Sequence, residues 1–201
     1  MMSLMLIFSL VASYLLGSIP NGLWLGKALW QTDLRKYGSH NIGATNAWRT
    51  LGKGPGFLIF LLDFLKGALS VGLAEVFTAS PLIMVIAGIL AIVGHSCSLF
   101  LHFKGGKGVA TGLGVIAMLM PVPSLIVFLV WLVIVMITKY VSLGSCIAAA
   151  LVPVLAYVWG YPVPYTAFGV LAAAFIIIRH KSNIVRLMNG TENKIHAGHR
   201  D

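Results

Sequence analysis

The chain has 201 residues, of which 59% are hydrophobic and only 9% are charged, and its mean hydropathy is +0.95. This composition excludes a soluble domain, in which about a quarter of the residues carry charge. Apolar stretches of helical length recur without the alternation that is typical of barrel strands. We therefore expect residues 1–201 to form a single integral membrane domain of the all-α class, a polytopic bundle of transmembrane helices.

The distribution of basic residues predicts the topology. The net charge is +9, and the lysines and arginines fall in alternate connections, whereas residues 78–81, 121–123 and 160–162 carry none. Since basic residues favour cytoplasmic loops, we expect the N-terminus outside and the C-terminus in the cytoplasm, which requires an odd number of spans. The seven predicted spans are 3–25, 55–77, 82–101, 107–122, 124–139, 143–160 and 163–179. The alternative is five spans plus a re-entrant hairpin broken at Pro121 and Pro123.

The first span ends near Pro20, which predicts a break in the helix, and the longest polar connection follows it. Compact hydroxyl and amide side chains recur in this connection, and an arginine adds a planar fork that suits a phosphate. We expect a structured ligand-binding loop rather than a simple surface turn. Its candidate binding residues are Ser39, Asn41, Thr45, Asn46 and Arg49.

The second predicted span carries two ionisable residues, Asp63 and Lys66. At a spacing of three residues they share one helical face, where each neutralises the other in the low dielectric of the membrane. We expect a structural ion pair, and a path for ions is the alternative.

The connection before the fourth predicted span contains Lys104-Gly105-Gly106-Lys107-Gly108. Lysine is costly beside a membrane-spanning helix, and glycine lets backbone N–H groups approach a ligand. The stretch is therefore interpreted as an anion cradle at the N-terminus of the next helix. The alternative is a turn whose lysines only snorkel to the membrane surface. A nucleotide-hydrolysing P-loop is not expected, because the G-x-x-x-x-G-K-[ST] pattern is absent.

Further polar residues lie at span ends on the same side of the predicted topology. His95 ends the third span, either as a general base or as a neutral residue that holds the loop. Ser142 precedes the sixth span, where capping of the helix is favoured over contact with a ligand. His180 and Asn183 lie one turn apart at the start of a short interfacial helix, and they are candidates to face the same site as Lys107.

These separated motifs together resemble one family, the bacterial acyl-phosphate:glycerol-3-phosphate acyltransferases, which are membrane enzymes that begin phospholipid synthesis. The resemblance covers nearly the whole chain, through residues 16–20, 38–46, Arg49, 63–67, 94–95, 103–111, His180, Asn183 and 186–187. The chain departs from the family pattern at His40, Ser98 and His102, where glycine, proline and glycine are usual.

The resemblance implies transfer of a fatty acyl group from acyl phosphate to the sn-1 hydroxyl of glycerol 3-phosphate, which gives 1-acyl-glycerol 3-phosphate (lysophosphatidic acid) and phosphate. It implies these two substrates, contact with membrane lipids, no nucleic acid and no cofactor. The enzyme is expected in the bacterial plasma membrane with its site facing the cytoplasm. Residue patterns and resemblance together give the catalytic candidates His95 and His180 and the substrate-binding candidates Ser39, Asn41, Thr45, Asn46, Arg49, Lys104, Gly105, Gly106, Lys107, Gly108, Ser142 and Asn183.

The acyl donor is predicted from reactivity. An acyl phosphate is an activated anhydride, so the enzyme has mainly to position the acceptor hydroxyl and neutralise charge, and the proton acceptor is open among the two histidines and a substrate phosphate. Glycerol-phosphate acyltransferases that use thioesters typically carry H-x-x-x-x-D. The one such spacing with a histidine here, His196 to Asp201, lies in the polar tail and is interpreted as coincidence.

A second class of function is kept as the alternative, a membrane transporter of a small phosphorylated anion. Glycine-broken segments and basic groups suit such a site too. A transport site should lie near the midplane and open to both faces, whereas the polar motifs of this chain cluster on one predicted side. Cys97 and Cys146 lack the spacing of metal ligands or of a disulfide framework, so no metal site is expected.

Overall fold

The computed structural model describes residues 2–196. Within that range all regular secondary structure is helical, which confirms the predicted fold class for this part of the chain. Short 3-10 turns at Leu34–Lys36 and Leu99–Leu101 lie in the connections after the second and fifth α-helices. The α-helices are α1 Met2–Ser18, α2 Asn21–Trp30, α3 Ala44–Leu51, α4 Lys53–Thr78, α5 Pro81–Ser96, α6 Val109–Leu119, α7 Pro121–Thr138, α8 Val141–Val158, α9 Val163–Arg179 and α10 Lys181–Met188.

Each predicted apolar segment coincides with one of the helices α1 and α4 to α9. Among the described residues, four helices are long and apolar enough to cross a membrane: α4, α5 with its 3-10 turn, α7 and α8. The bent pairs α1 with α2 (46°) and α9 with α10 (61°) bring the number to six when each pair counts as one span. Helix α6 has 11 residues and is about 16 Å long. It is therefore shorter than the hydrocarbon core of a bilayer, which is about 30 Å thick.

The predicted break in the first span lies between α1 and α2. Lys66 Nζ donates to the Ile19 carbonyl oxygen at 2.9 Å and forms a 2.9 Å ion pair with Asp63 Oδ1. Asn21 Nδ2 donates to the same carboxylate oxygen at 3.0 Å. The predicted Asp63–Lys66 pair is therefore confirmed, and it ties α4 to backbone that the break leaves exposed.

Helix α4 packs against α1, α3, α5 and α6. Two glycines allow the close approach of α4 and α6, because a Cβ on Gly67 would overlap the Thr111 carbonyl oxygen and a Cβ on Gly114 would overlap that of Phe64. Small residues let membrane helices approach in this way. The packing fixes the position of α6, whose N-terminus reaches the main cavity.

Candidate functional site

A cavity of about 180 Å³ runs from a polar mouth into an apolar channel between α6, α7, α8 and α9. The mouth is lined by polar groups from the α2–α3 loop, α3, the start of α6, the start of α8, α10 and the tail. These are Ser39, Asn41, Thr45, Asn46, Arg49, Lys107, Ser142, His180, Asn183, Arg186, Glu192 and Asn193. The channel is lined mainly by Leu113, Ile116, Val127, Phe128, Trp131, Ala148, Ala149, Val152, Ala172, Ala173 and Ile176.

The α2–α3 loop is organised by one amide side chain. Asn46, which is only 1% exposed, accepts a hydrogen bond from Ser39 N at 2.9 Å. Its Nδ2 donates to the carbonyl oxygens of Leu34, Tyr37 and Asn41 at 3.0, 3.1 and 2.8 Å. The loop is structured, as predicted, and the hydrogen-bonding capacity of Asn46 is spent on holding it.

Arg49 lies on α3 and reaches across the mouth to the tail. Its Nη2 donates to the Asn193 carbonyl oxygen at 2.7 Å, and its buried Nε has no partner among the described residues. An arginine that is bonded only to a neutral carbonyl keeps its charge available for an anion. Arg49 therefore supplies a cationic group that no protein carboxylate neutralises by direct contact within the described chain.

The glycine turn, residues 102–108, differs from its prediction. Gly105 N donates to the Ser96 carbonyl oxygen at 2.9 Å, and Gly106 N donates to that of His95 at 3.0 Å. These amides are spent on the end of α5 and are not free for an anion, so the predicted cradle is wrong for Gly105 and Gly106. Lys104 is exposed and lies outside the cavity lining.

The lysine and the backbone amides that line the cavity belong to residues 107–110, directly after Gly106. Gly108, with φ +82°, is the N-cap of α6, and Gly108, Val109 and Ala110 line the mouth together with Lys107. The first amides of a helix have no partners within the helix and carry partial positive charge. Lys107 Nζ donates to Asn183 Oδ1. Burial lowers the pKa of Lys107 to about 8, opposed by the Glu192 charge and assisted by Arg186 and Arg49.

Glu192 is a hydrogen-bonded hub that was not among the predicted site residues. Its carboxylate accepts from Ser142 Oγ at 2.8 Å, from Asn183 Nδ2 at 2.6 Å and from Arg186 Nε at 2.7 Å. Burial alone would raise the pKa of this carboxyl, but the hydrogen bonds from Asn183, Ser142 and Arg186 hold it below its ordinary value. The expected capping by Ser142 is wrong, because Tyr140 is the N-cap of α8 and the Ser142 hydroxyl is bonded to Glu192 instead.

The two candidate histidines occupy different positions. His180 follows α9, lies at the mouth, and has Nδ1 2.8 Å from the Ile176 carbonyl oxygen. His95 is 5% exposed and lies below the glycine turn, where a Cβ on Gly106 would overlap His95 Nε2. Its Nδ1 is 3.8 Å from Asp63 Oδ1. The structure thus brings His180 next to the polar cluster and packs His95 beneath the loop, where it also lines the cavity beside Asp63.

The structure brings most of the predicted site residues to one mouth, although they are separated by up to about 150 residues in sequence. It excludes Lys104, Gly105 and Gly106 from the cavity lining and adds Asp63, Arg186, Glu192 and Asn193. The signal for Glu192 was present, since it and the terminal Asp201 are the only acids within a basic tail. Asp201, the partner of His196 in the H-x-x-x-x-D spacing, lies outside the described residues.

Known proteins are similar to this one over almost the entire chain. The glycerol-3-phosphate acyltransferase family model matches residues 7–190. The chain is 48% identical over 186 residues to the glycerol-3-phosphate acyltransferase of Syntrophomonas wolfei, covering 92% of this chain and 95% of that one. It is 45% identical over 185 residues to that of Fusobacterium nucleatum, with the same coverage of 92% and 95%.

Two solved structures are similar in fold. Both are of PlsY (YgiH), an integral membrane glycerol 3-phosphate acyltransferase. Its glycerol 3-phosphate form matches with a TM-score of 0.90 and 42% identity, over 95% of this chain and 96% of that one. Its lysophosphatidic acid form matches with a TM-score of 0.87 and 40% identity, over 94% of each chain. The protein described by this sequence is therefore an acyltransferase that belongs to the glycerol-3-phosphate acyltransferase family.

Proposed function

We propose that this protein transfers a fatty acyl group from acyl phosphate to the sn-1 hydroxyl of glycerol 3-phosphate, and that it releases 1-acyl-glycerol 3-phosphate and phosphate. The observation that carries the proposal is the junction of a cationic, hydrogen-bonding mouth with an apolar channel in one cavity. Both proposed substrates carry a phosphate, and the donor carries a fatty chain. The solved PlsY forms with glycerol 3-phosphate and with lysophosphatidic acid support the acceptor and the product.

The phosphates are assigned to the positive groups of the mouth. Lys107, Arg49 and the first amides of α6 form a basic surface that suits a dianion. We assign hydrogen bonds to the hydroxyl groups of the acceptor to Ser39, Asn41, Thr45, Ser142 and Asn183, which line the same mouth. The acyl chain is assigned to the apolar channel, whose side chains give it surroundings as apolar as the lipid.

The reaction needs positioning and charge neutralisation rather than a protein nucleophile. The acceptor oxygen attacks the acyl carbonyl carbon, a new C–O ester bond forms, and the bond to the phosphate oxygen breaks with its electron pair leaving on phosphate. Cationic groups stabilise the charge that develops. We assign the hydroxyl proton to one of the two histidines that line the cavity, His95 or His180, or to a substrate phosphate.

The membrane arrangement is proposed as seven spans, with the N-terminus outside, the C-terminus in the cytoplasm and the mouth facing the cytoplasm of a bacterial plasma membrane. Helices α6 and α7 share the Met120 joint, and α7 has 18 residues against 11 in α6. Helix α6 is therefore about 10 Å shorter than α7.

Purified protein with defined acyl donors tests the function. We expect turnover with a fatty acyl phosphate and glycerol 3-phosphate, with released phosphate and acylated product in equal amounts. Good turnover with acyl-CoA or acyl carrier protein, lost on deletion of residues 196–201, would overturn the donor assignment. Uptake of labelled glycerol 3-phosphate into sealed vesicles without acylation would favour the alternative, a transporter of a phosphorylated anion.

Cysteine labelling tests the topology separately. In a variant with Cys97 and Cys146 replaced by alanine, a cysteine at Ser39 or Lys194 should react with an impermeant maleimide only from the cytoplasmic side. A cysteine at Thr78 or Tyr161 should react only from outside. The reverse pattern would place the mouth on the other side of the membrane.

A further inference from the structure

In the glycine turn, both the N–H groups and the carbonyl oxygens of Gly105 and Gly106 form hydrogen bonds. The N–H groups of Gly105 and Gly106 donate to the end of α5, as described above. Their carbonyl oxygens lie under a single guanidinium, since Arg179 Nη2 is 2.9 Å from the Gly106 oxygen and 3.4 Å from the Gly105 oxygen. One side chain at the end of α9 therefore clasps the turn against the end of α5.

The turn has little freedom to move toward α5. A Cβ on Gly105 would overlap the His95 carbonyl oxygen, and a Cβ on Gly106 would overlap the His95 ring. Arg179 lies on the opposite edge from these contacts. Removing its guanidinium would leave the two glycine carbonyls without their hydrogen bonds to Arg179.

Arg179 itself does not reach the substrate cavity. Its side chain is exposed, it is absent from the cavity lining, and within residues 2–196 it forms no ion pair with a carboxylate. Its hydrogen bonds to side-chain or main-chain acceptors in that range are the two to the glycine carbonyls. Arg179 therefore acts on Lys107 through the two glycines of the turn, which Lys107 directly follows. Burial lowers the pKa of the neighbouring His180, and the Arg179 charge also lowers it.

We infer that Arg179 is a positioning residue, which clasps the glycine turn and thereby aims the Lys107 ammonium and the α6 N-terminus at the substrate phosphate. The inference rests on the proposed function. A single guanidinium nitrogen, Nη2, donates to both neighbouring carbonyls, so one side chain holds two successive peptide groups. Misplacement of a site group by about 1 Å can cost about 100-fold in rate, so a loose turn should be detectable in kinetics.

The test compares Arg179→Ala and Arg179→Lys with Lys181→Ala. Lys181 carries the same charge two residues away, is exposed, and has no hydrogen bond or ion pair among the described residues. We expect kcat/KM for glycerol 3-phosphate to fall about tenfold or more in Arg179→Ala. Arg179→Lys, which keeps a charged donor nitrogen on a shorter side chain, should recover part of that loss, and Lys181→Ala should retain the wild-type value within about twofold.

A pH profile separates positioning from a general loss of stability. The titratable and charged groups around Lys107 are Arg49, Cys146, His180, Arg186 and Glu192. Burial and, to a smaller extent, the Arg179 charge lower the pKa of His180, so the direct electrostatic effect of Arg179 belongs to the acid limb of the profile and not to the alkaline limb. If the turn loosens, Lys107 becomes better hydrated and its pKa rises toward its ordinary value. The alkaline limb of kcat/KM should then move to higher pH in Arg179→Ala and remain in place in Lys181→Ala.

The outcomes are distinguishable. Absence of acyl transfer from acyl phosphate in the wild-type protein would refute the proposed function. With an active wild type, equal kcat/KM and equal alkaline limbs in Arg179→Ala and Lys181→Ala would refute the clasp. If Arg179→Ala does not fold, as judged by thermal unfolding in detergent, the comparison of Arg179→Lys with Lys181→Ala decides the question by the same two measurements.

Discussion

Two carboxylates of this protein, Asp63 and Glu192, have side chains that are only 3% exposed, and both line the cavity, yet they have different partners. Asp63 accepts hydrogen bonds from Lys66 on its own helix and from Asn21 at the α1–α2 break. These partners join helices to one another. Breaking the pair is therefore expected to affect folding before it affects chemistry.

Glu192 has partners of another kind. Ser142, Asn183 and Arg186 all line the cavity, and Asn183 also accepts from Lys107. The carboxylate thus holds the polar groups of the mouth in their relative positions. The contrast indicates that burial of an acid in a membrane protein does not by itself mark a catalytic group, and that the partners decide whether it serves the bundle or the site.

The largest expected effect is a loss of stability of the helix bundle. Asp63→Ala leaves Lys66 buried without its counter-ion, which typically costs about 3–5 kcal/mol of stability. Asp63→Leu combined with Lys66→Met removes both charges and should recover part of that loss. Thermal unfolding in detergent measures both. Equal stability of Asp63→Ala and the wild type would show that the pair does not hold the helices together.

The next largest expected effect is a loss of catalysis when a cation at the mouth is removed. Lys107→Ala and Arg49→Ala should each reduce catalysis by roughly 2–4 kcal/mol, the range for loss of a donor that stabilises developing charge. Their unfolding temperatures should stay near that of the wild type, in contrast to Asp63→Ala. Steady-state kinetics with acyl phosphate and glycerol 3-phosphate measure the loss. Full activity in both variants would remove these residues from the site.

The substitution Glu192→Gln tests whether the carboxylate at the mouth serves the catalytic site. The amide keeps the shape of the side chain but loses the charge-assisted hydrogen bonds, so we expect kcat/KM to fall about tenfold, or about 1.4 kcal/mol. Glu75→Gln is the matched control, since Glu75 is exposed toward the far end of α4. A fall of the same size in both variants would contradict a special position for Glu192.

Acid stability should depend on the same carboxylate. Its pKa is lower in the folded protein than the ordinary value of 4.5. The folded state therefore binds fewer protons than the unfolded state, so the stabilisation is fully present above about pH 4.5 and is lost as pH falls below it. Unfolding measured from pH 7 down to pH 3 should show a weaker acid dependence in Glu192→Gln than in the wild type or Glu75→Gln.

The smallest expected effect is the alkaline response of Lys107. Its pKa of about 8 means that the ammonium loses its charge as pH rises through that value. The KM for glycerol 3-phosphate should therefore increase several-fold between pH 7 and pH 9, since an uncharged amine binds phosphate weakly. Lys107→Arg, which stays charged, should show no such increase. A flat KM in the wild type over this range would indicate that another group carries the phosphate.

Local features of the chain could be predicted from the sequence, because they depend on near neighbours. Apolar stretches of helical length predicted the helices α1 and α4 to α9, and the three-residue spacing of Asp63 and Lys66 predicted their pairing. The proline break in the first span belongs to the same class, since proline excludes a hydrogen bond within its own helix. The polar and basic residue types of the mouth were also recognised from the sequence.

Only the tertiary structure decided which of those polar groups are free and which are already bonded. The amides of Gly105 and Gly106 looked available in sequence, yet they are bonded to the end of α5. Ser142 was expected to cap its helix, but its hydroxyl is bonded to Glu192, which lies 50 residues away. The physical reason is that each donor or acceptor bonds the partner that folding brings within about 3 Å, and for these groups that partner lies on another helix or in the tail.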